Sequence, residues 1–399
     1  MVKKGRRKMD VAKELVLSKD QLIEWRRHFH KYPELSFQEE KTSQFVFDIL
    51  RKIPHLEVSR PTKYSVMARL IGKQSGKTIA VRADMDALPI HEENEFDFIS
   101  AYPGVMHACG HDGHIAILLG VVHKLVEARE KIKGEVRFLF QHAEENFPGG
   151  AEEMVAAGVM EGVDYIIGAH LWASLHVGKV GVIYGPAMAA PDVFKITIEG
   201  KGGHAGIPHE TVDSIAIGTQ VVSQLQQIVS RLTNPLDSLV VSVTQFHAGT
   251  THNVIPEQAE IEGTVRSLRH ELREETEKRI EQIVKHVTEA YGAKYTFSYE
   301  YGYRPVVNDY EVTEIIEQTA LQLYGRERVT RLQPTMAGED FSAFLQKAPG
   351  TFFFIGAGNK EKGIIYPHHH PRFTIDEDAL PIGVEVFVSS IMNFINKGE

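Results

Sequence analysis

Apolar and polar positions follow two periods along the chain, and the dominant period changes twice. KTIAVRAD (77–84) and GEVRFLFQHAEE (134–145) read as strands. Between them, IAILLGVVHKLVEARE (115–130) carries apolar residues at 115, 118, 119, 122, 125 and 126, the stripe of a helix. A short helix at GAEEMVAAG (150–158) and a third strand at DYIIGAHLW (164–172) continue the alternation. Strands alternating with helices predict an α/β layer: a mixed, largely parallel sheet with helices on both faces. In such sheets ligands gather beyond the carboxyl ends of the strands.

The middle of the chain reads differently. VFKITIEG (193–200) alternates like a half-buried strand, and VDSIAIGTQVVSQLQQIVSRL (212–232) is helical. SLVVSVTQFHAG (238–249) and QAEIEGTVRSL (258–268) are strands, ELREETEKRIEQIVKHVTEAYG (271–292) is a charged amphipathic helix, and AKYTFSYEY (293–301) is a strand. That order, β-α-β-β-α-β, is the ferredoxin-like α+β pattern. It predicts an inserted domain at 193–303, with 1–192 and 304–399 forming one larger domain. The α/β layer resumes in VTEIIEQTALQLYG (312–325) and TFFFIGAG (351–358). A chain of 399 residues also exceeds what one core usually serves.

Composition acts mainly by exclusion. With 43% apolar and 24% charged residues, the chain is not of the disordered class. A net charge of −9 removes the expectation of a nucleic-acid partner. No uncharged apolar run reaches about 18 residues, so no membrane-spanning helix is expected. KKGRRK (3–8) resembles the start of a signal peptide, but charges interrupt the stretch that follows it. The single cysteine cannot form an internal disulfide, and a cytoplasmic protein is the expectation.

That cysteine sits in MHACGHDGH (106–114), beside His107, His111 and His114. An isolated cysteine usually packs as a small hydrophobe. Here its flanks are polar, and thiolate and imidazole together suit zinc and its first-row neighbours. The stretch lacks the second cysteine of a zinc finger and the P-C-x-x-C of a zinc deaminase. Other donors recur at strand ends. Glu144 and Glu145 follow the apolar VRFLF, where successive side chains point in different directions. One of them can hold metal while the other faces substrate as a base. His170 ends GAHLW, Asp84 and Asp86 end RADMD, and His368, His369 and His370 follow TFFFIGAG. An aspartate commonly accepts the second N–H of a ligand histidine. Each residue alone reads as readily as a solvated turn, but their recurrence at successive strand ends favours a metal site.

The stretches RRHFHKYPELSFQE, RADMDALP, MHACGHDGH, HAEEN, GAHLW, GKGGHAGIPH, HNVIP, GEDFS and HHHPRF follow one another over almost the whole chain. In this order they resemble the M20 metallopeptidase superfamily, specifically its amidohydrolase branch of aminoacylase-like, hippurate-hydrolase-like and indole-acetyl-amino-acid-hydrolase-like enzymes. The resemblance implies two divalent metal ions per subunit (Zn, Mn, Co or Ni) in the larger domain. It implies Cys109, His111, Glu145, His170 and His369 as ligands, with Cys109 bridging as thiolate. His369 is the choice within HHHP because it stands two residues before Pro371. Glu144 matches the general base and Asp86 the aspartate behind a ligand, while Asp84 stands where many other members carry a ligand histidine. His204 in GGHAG matches a lid-domain histidine that reaches the active site across a dimer interface, and Asn253 and Arg266 match contacts for the substrate carboxylate. The implied reaction is hydrolysis of N-acyl amino acids, small-molecule substrates, by a homodimer or higher homo-oligomer joined through the lid. A dipeptidase or carboxypeptidase would use the same site. A catalytically silent metal-binding protein is disfavoured by the presence of Glu144 and His204.

Overall fold

A computed structural model describes residues 18–396. The basic stretch at 3–8 lies outside the described residues. The chain forms two compact units. The first takes in the chain up to Gly185, then Val307–Gln333 and the part from Ala343 onward. The second is Pro186–Val306 together with Pro334–Ser342.

The first unit opens with α1 (Lys19–Lys31), α2 (Glu40–Leu50), β1 (Leu56–Ser59), β2 (Val66–Ile71), β3 (Gln74–Asp84), α3 (His111–Glu127), β4 (Lys133–Gln141), α4 (Gly150–Ala156), β5 (Tyr165–His176) and β6 (Val180–Val182). The chain then runs through β7 (Gly185–Met188), β8 (Ala190–Glu199), β9 (Gly203–His204), α5 (Ser214–Gln227), β10 (Leu239–Ala248), β11 (Val254–Ile255), β12 (Gln258–Ser267), α6 (His270–Ala290) and β13 (Lys294–Glu300). It returns through β14 (Val306–Asn308), α7 (Tyr310–Tyr324), β15 (Val329–Arg331), α8 (Ser342–Leu345), β16 (Gly350–Gly358) and α9 (Ala379–Asn396). Three helix starts carry side-chain caps, which satisfy otherwise unpaired N–H groups. Ser18 accepts from Gln21 N–H at 3.2 Å, Asp213 from Ile215 N–H at 2.9 Å, and Asp309 from Val312 N–H at 2.9 Å.

The first unit is built on an eight-stranded sheet in the order β1-β2-β4-β3-β5-β16-β6-β15. Its centre, β4-β3-β5-β16, is parallel, and β1, β2 and β6 add antiparallel pairings. Every position of β16 is buried, so helices and loops cover both faces there. This explains why TFFFIGAG shows no alternation. By length and composition α9 could cross a membrane, yet 61% of it is buried and it packs on α3, α7 and β16.

Three element ends around the site differ from the sequence expectation; one is β5, which runs on past 172 to His176 and leaves His170 in mid-strand. The strand expected to run through 145 ends at Gln141, because Ala143 turns to φ 50. Glu144 and Glu145 therefore sit in a turn rather than on the strand. The helix expected from 115 begins at His111, because Gly110 at φ 105 lets the chain enter it abruptly. His111 and His114 thus lie on the first turn of a helix.

The second unit places α5 and α6 with an antiparallel sheet in the order β10-β12-β8-β13. Phe194, Ile196, Ile198, Ile217, Val221 and Ile280 lie in its core. Pro334–Ser342 joins this unit through backbone bonds: Thr335 N–H donates to Ala187 O and Ala189 N–H to Ala337 O, each at 2.9 Å. The buried Asp192 at the head of β8 accepts Arg273 Nε at 2.8 Å, Tyr299 OH at 2.8 Å and Gly302 N–H at 3.0 Å. Removing one partner of a buried pair strands the other charge, at about 3–5 kcal/mol. Arg273→Ala is expected to lower stability by that order in urea unfolding, and a shift below about 1 kcal/mol would contradict the assignment.

Candidate metal centre

The strand pairing brings the donors of the first unit level with one another. Asp84 pairs with Gln141 on β4, and Arg82 pairs with Gly168 on β5, so Asp84 at the end of β3 stands level with His170 in the middle of β5. His111 enters from the first turn of α3, with Cys109 just before it. His369, at φ 65, comes from the loop after β16, and its N–H donates to Ala108 O at 2.8 Å. That bond ties the C-terminal loop to the cysteine loop.

Within this unit four sets of three donors have their ligand atoms within 4.8 Å of one another. They are Cys109–His111–His170, Cys109–Glu145–His369, His111–Glu144–Glu145 and Asp84–His111–His114. The first two share Cys109, the arrangement a bridging thiolate requires. Cys109 Sγ lies 3.4 Å from His170 Nε2, and His369 Nε2 lies 3.3 Å from Glu145 Oε1.

The outer ring nitrogens decide which histidines are free to bind. His111 Nδ1 faces Asp86, 2.9 Å from its carbonyl and 3.2 Å from Oδ1, so it donates and leaves Nε2 bare. His170 Nδ1 donates to Leu171 O at 2.8 Å, leaving Nε2 toward Cys109. His114 is used on both sides: Nδ1 donates to Asp84 at 2.6 Å, and Nε2 accepts Leu171 N–H at 2.9 Å. It therefore braces the segment carrying His170. His368 is likewise committed, accepting Ala173 N–H at 3.1 Å and donating to Cys109 O at 3.2 Å. His370 accepts Arg372 N–H at 3.0 Å and stacks on Tyr366. Of the three consecutive histidines, only His369 belongs to a donor set. His107 is buried, makes no ring hydrogen bond and joins none of the sets.

These residues fit a divalent ion on their own chemistry. His111 Nε2 and Glu145 Oε1 are buried and lack hydrogen-bond partners, a costly state unless something charged or polar fills it. Burial opposes a charge on His111, yet Asp84, Asp86 and Glu145 push its pKa up to about 10, so the carboxylates demand a cation there. Burial, followed by the charges of Glu145, Glu144 and Asp84, drives the Cys109 thiol well above its ordinary range. A bound cation reverses that and favours thiolate. The mixed S, N and O donors suit zinc and its first-row neighbours. Asp84 is a weaker candidate ligand, since Arg82 Nη1 at 2.6 Å and His114 occupy its two oxygens.

Sequence reasoning named Asp86 behind the donors but missed the groups that hold it and the others around the site. Asp86 Oδ2 accepts Ser36 Oγ at 2.7 Å and Glu145 N–H at 2.9 Å. Asp112, next to His111, accepts Arg26 Nε and His30 Nδ1, each at 2.8 Å, and His30 Nε2 meets Glu92 at 3.0 Å. Arg26 and His30 are buried.

The second unit holds His204, Asn253 and Arg266. His204 is exposed on β9 and pairs across to Val254, beside Asn253, whose carbonyl accepts Ala205 N–H at 3.1 Å. Arg266 pairs with Pro191, at the opposite end of β8 from Glu199, which pairs with Gln258. Eight residues of strand separate the two ends, roughly 26 Å. The unit brings His204 and Asn253 together and keeps Arg266 away from them.

Residues 80–393 match the peptidase family M20/M25/M40, and the chain belongs to that family. Among its relatives is the N-acyl-L-amino acid amidohydrolase of Geobacillus stearothermophilus, 63% identical over 73% of this chain and 78% of its own. Thermostable carboxypeptidase 1 of Saccharolobus solfataricus is 42% identical over 95% of this chain and 96% of its own. A Bacillus subtilis crystal structure described as a dinuclear metal-binding peptidase of the M20 family matches with a TM-score of 0.83 and 36% identity, covering 94% of this chain and 98% of that one.

The donor sets generate a prediction that needs no substrate. Cys109→Ala and His369→Ala are expected to fold and to lose most bound metal by elemental analysis, whereas His370→Ala keeps it. Full occupancy in Cys109→Ala would remove the shared-thiolate arrangement.

Proposed function

We propose that the chain is a metal-dependent amidohydrolase that splits the amide bond of N-acyl amino acids, with Glu144 as general base. The observation that carries this reading is the division of labour between two adjacent glutamates. Both lie 3.9 Å from His111 Nε2 and share a donor set with it, but of the two only Glu145 also joins the set of Cys109 and His369. Cys109, His111, Glu145, His170 and His369 would hold two divalent ions. Such ions supply Lewis acidity and make water a nucleophile near neutral pH.

The chain's own residues do the rest. Glu144 takes the proton of the attacking water and passes it to the leaving amine. Asp86 holds the Nδ1–H of His111 and so keeps Nε2 bare. His204 donates to the oxyanion that forms on the carbonyl carbon's oxygen. The second unit serves as lid and dimerisation domain. Its sheet supports action between subunits: Arg266 lies a strand length, roughly 26 Å, from the end of β8 that leads on to His204, and an N-acyl amino acid is far shorter than that strand. On this reading one lid does not offer both to the same molecule. Two copies can, with Arg266 from one subunit and His204 and Asn253 from its partner. A single cysteine held as a metal ligand also fits a reducing compartment such as the cytoplasm.

A carboxypeptidase reading is favoured by the Saccharolobus solfataricus relative, which bears that name. Turnover of N-acyl amino acids and dipeptides, side by side with Mn, Co, Ni or Zn, separates the two. Preference for substrates with a free amino terminus would overturn the first reading.

Glu144→Gln is expected to keep its metal and to lose about 10²–10⁴-fold in kcat, because an amide cannot take the proton. Comparable turnover in the metal-loaded variant would eliminate Glu144 as base. Mixing inactive His204→Ala with inactive Glu144→Gln gives hybrids in which one site has both an intact base and a partner's intact His204. Activity is expected to return to roughly a quarter of wild type after random exchange. Demonstrated hybrids without recovery would place His204 in its own subunit's site or outside the chemistry.

A further inference from the structure

The segment PELSFQE (33–39) has no part in the reaction as proposed, yet three of its residues touch the walls of the site. Glu34 O accepts Ala87 N–H at 2.8 Å, which fastens the segment to the chain leaving β3. Ser36 Oγ donates to Asp86 at 2.7 Å. Phe37 adopts φ 62, and the ensuing turn leads into α2 with Glu39 fully buried. Glu39 Oε1 accepts the N–H of Ala143 at 2.7 Å.

Ala143 is itself unusual. At φ 50 it occupies a region that non-glycine residues enter only when neighbouring groups hold them there. Its carbonyl accepts Gly150 N–H at 2.9 Å, and two residues later Glu145 N–H donates to Asp86 Oδ2 at 2.9 Å. Glu144 is therefore bracketed by two backbone N–H groups, each taken by a buried carboxyl. Helix capping does not account for the Glu39 side chain. Glu34 already serves the start of α2, accepting Lys41 N–H at 3.2 Å and Thr42 N–H at 2.8 Å. A carboxyl buried this deeply is destabilising unless its contact is worth keeping.

We propose that Glu39 is a positioning residue that fixes the direction of the Glu144 carboxylate by holding the backbone N–H of Ala143. The proposal rests on the reading of Glu144 as general base. The contact needs an acceptor oxygen and no charge. Burial, with Asp86 adding to it, pushes the Glu39 carboxyl up to about 8, so it is largely neutral at pH 7. A glutamine at 39 supplies the same acceptor at the same reach. Methionine fills the space without an acceptor, and aspartate is one carbon short.

The test compares Glu39→Gln, Glu39→Met and Glu39→Asp in the metal-loaded protein. In the Met and Asp variants kcat is expected to fall about 10- to 100-fold at unchanged metal content. Their KM is expected to stay within about twofold of wild type, the mark of an interaction used in the transition state. Glu39→Gln is expected to stay within about threefold in both constants. Hydrogen exchange on peptides spanning 140–146 reports on Ala143 without any substrate. It should accelerate in the Met and Asp variants and remain slow in Glu39→Gln. Unchanged exchange in the Met and Asp variants, equal kcat losses in all three, or a lowered melting temperature with kcat intact would each overturn the proposal. If Glu39→Met does not fold, the contrast between Asp and Gln decides the same question. A wild-type protein that hydrolyses no amide would sink the reading of Glu144, while exchange at Ala143 would still decide whether Glu39 holds it.

Discussion

Negative charge crowded at neighbouring strand ends is the constraint on which the rest of the first unit depends. Asp84, Asp86 and Glu144 are all buried, with Glu145 beside them. Such a gathering is tolerable only where positive charge and donors are supplied in kind. The chain supplies part of them: Arg82 and His114 on Asp84, Ser36 and the Glu145 N–H on Asp86, and Arg26 and His30 on Asp112. What it leaves over is concentrated on Glu145 and the bare Nε2 of His111, where divalent ions fit. The polar partners are drawn from α1, the segment before α2, and the first turn of α3. Much of the N-terminal part of the unit is thereby tied to keeping one electrostatic centre in order.

The parallel layer and the β-α-β-β-α-β order were legible because burial writes a period into the residues. The end of β3 at Asp84 was legible for the same reason, whereas the turn that holds Glu144 and Glu145 and the mid-strand place of His170 were not. The sorting of histidines was not. His111, His114, His368, His369 and His370 are one residue type in similar local company. What separates them is whether the second ring nitrogen is spent on Leu171 N–H, Ala173 N–H, Arg372 N–H or Asp86, and partners distant in sequence leave no local mark. Family register pointed to His369, and the hydrogen bonds give a physical basis for preferring it over its neighbours. Arg26, His30 and Glu39 stand in the matched stretch RRHFHKYPELSFQE, but nothing local gave them a role. Charged residues in an amphipathic pattern read as a solvated face, and only tertiary packing turns that face inward. The turn at Ala143 was also invisible, since alanine carries no preference for a left-handed conformation.

The second unit shows how sheet geometry can bear on assembly. A four-stranded antiparallel sheet is longer than a small-molecule substrate, which is why the proposed roles of residues at its two ends fall to different subunits. Matching a motif residue by residue names His204, Asn253 and Arg266 in one breath. The register of β8 against β12 puts Arg266 at the opposite end of β8 from the end that leads on to His204 and Asn253.

The stretch Pro334–Ser342 has a practical consequence for anyone dividing the protein. It belongs with the second unit, yet α7 and β15 of the first unit intervene between it and Val306. A gene fragment encoding 186–306 would therefore omit the chain that bonds to Ala187 and Ala189. It would begin with unpaired backbone at the base of its own sheet, and such exposed edges recruit other chains. The unit is better transplanted with a short linker carrying 334–342 than as an uninterrupted cassette.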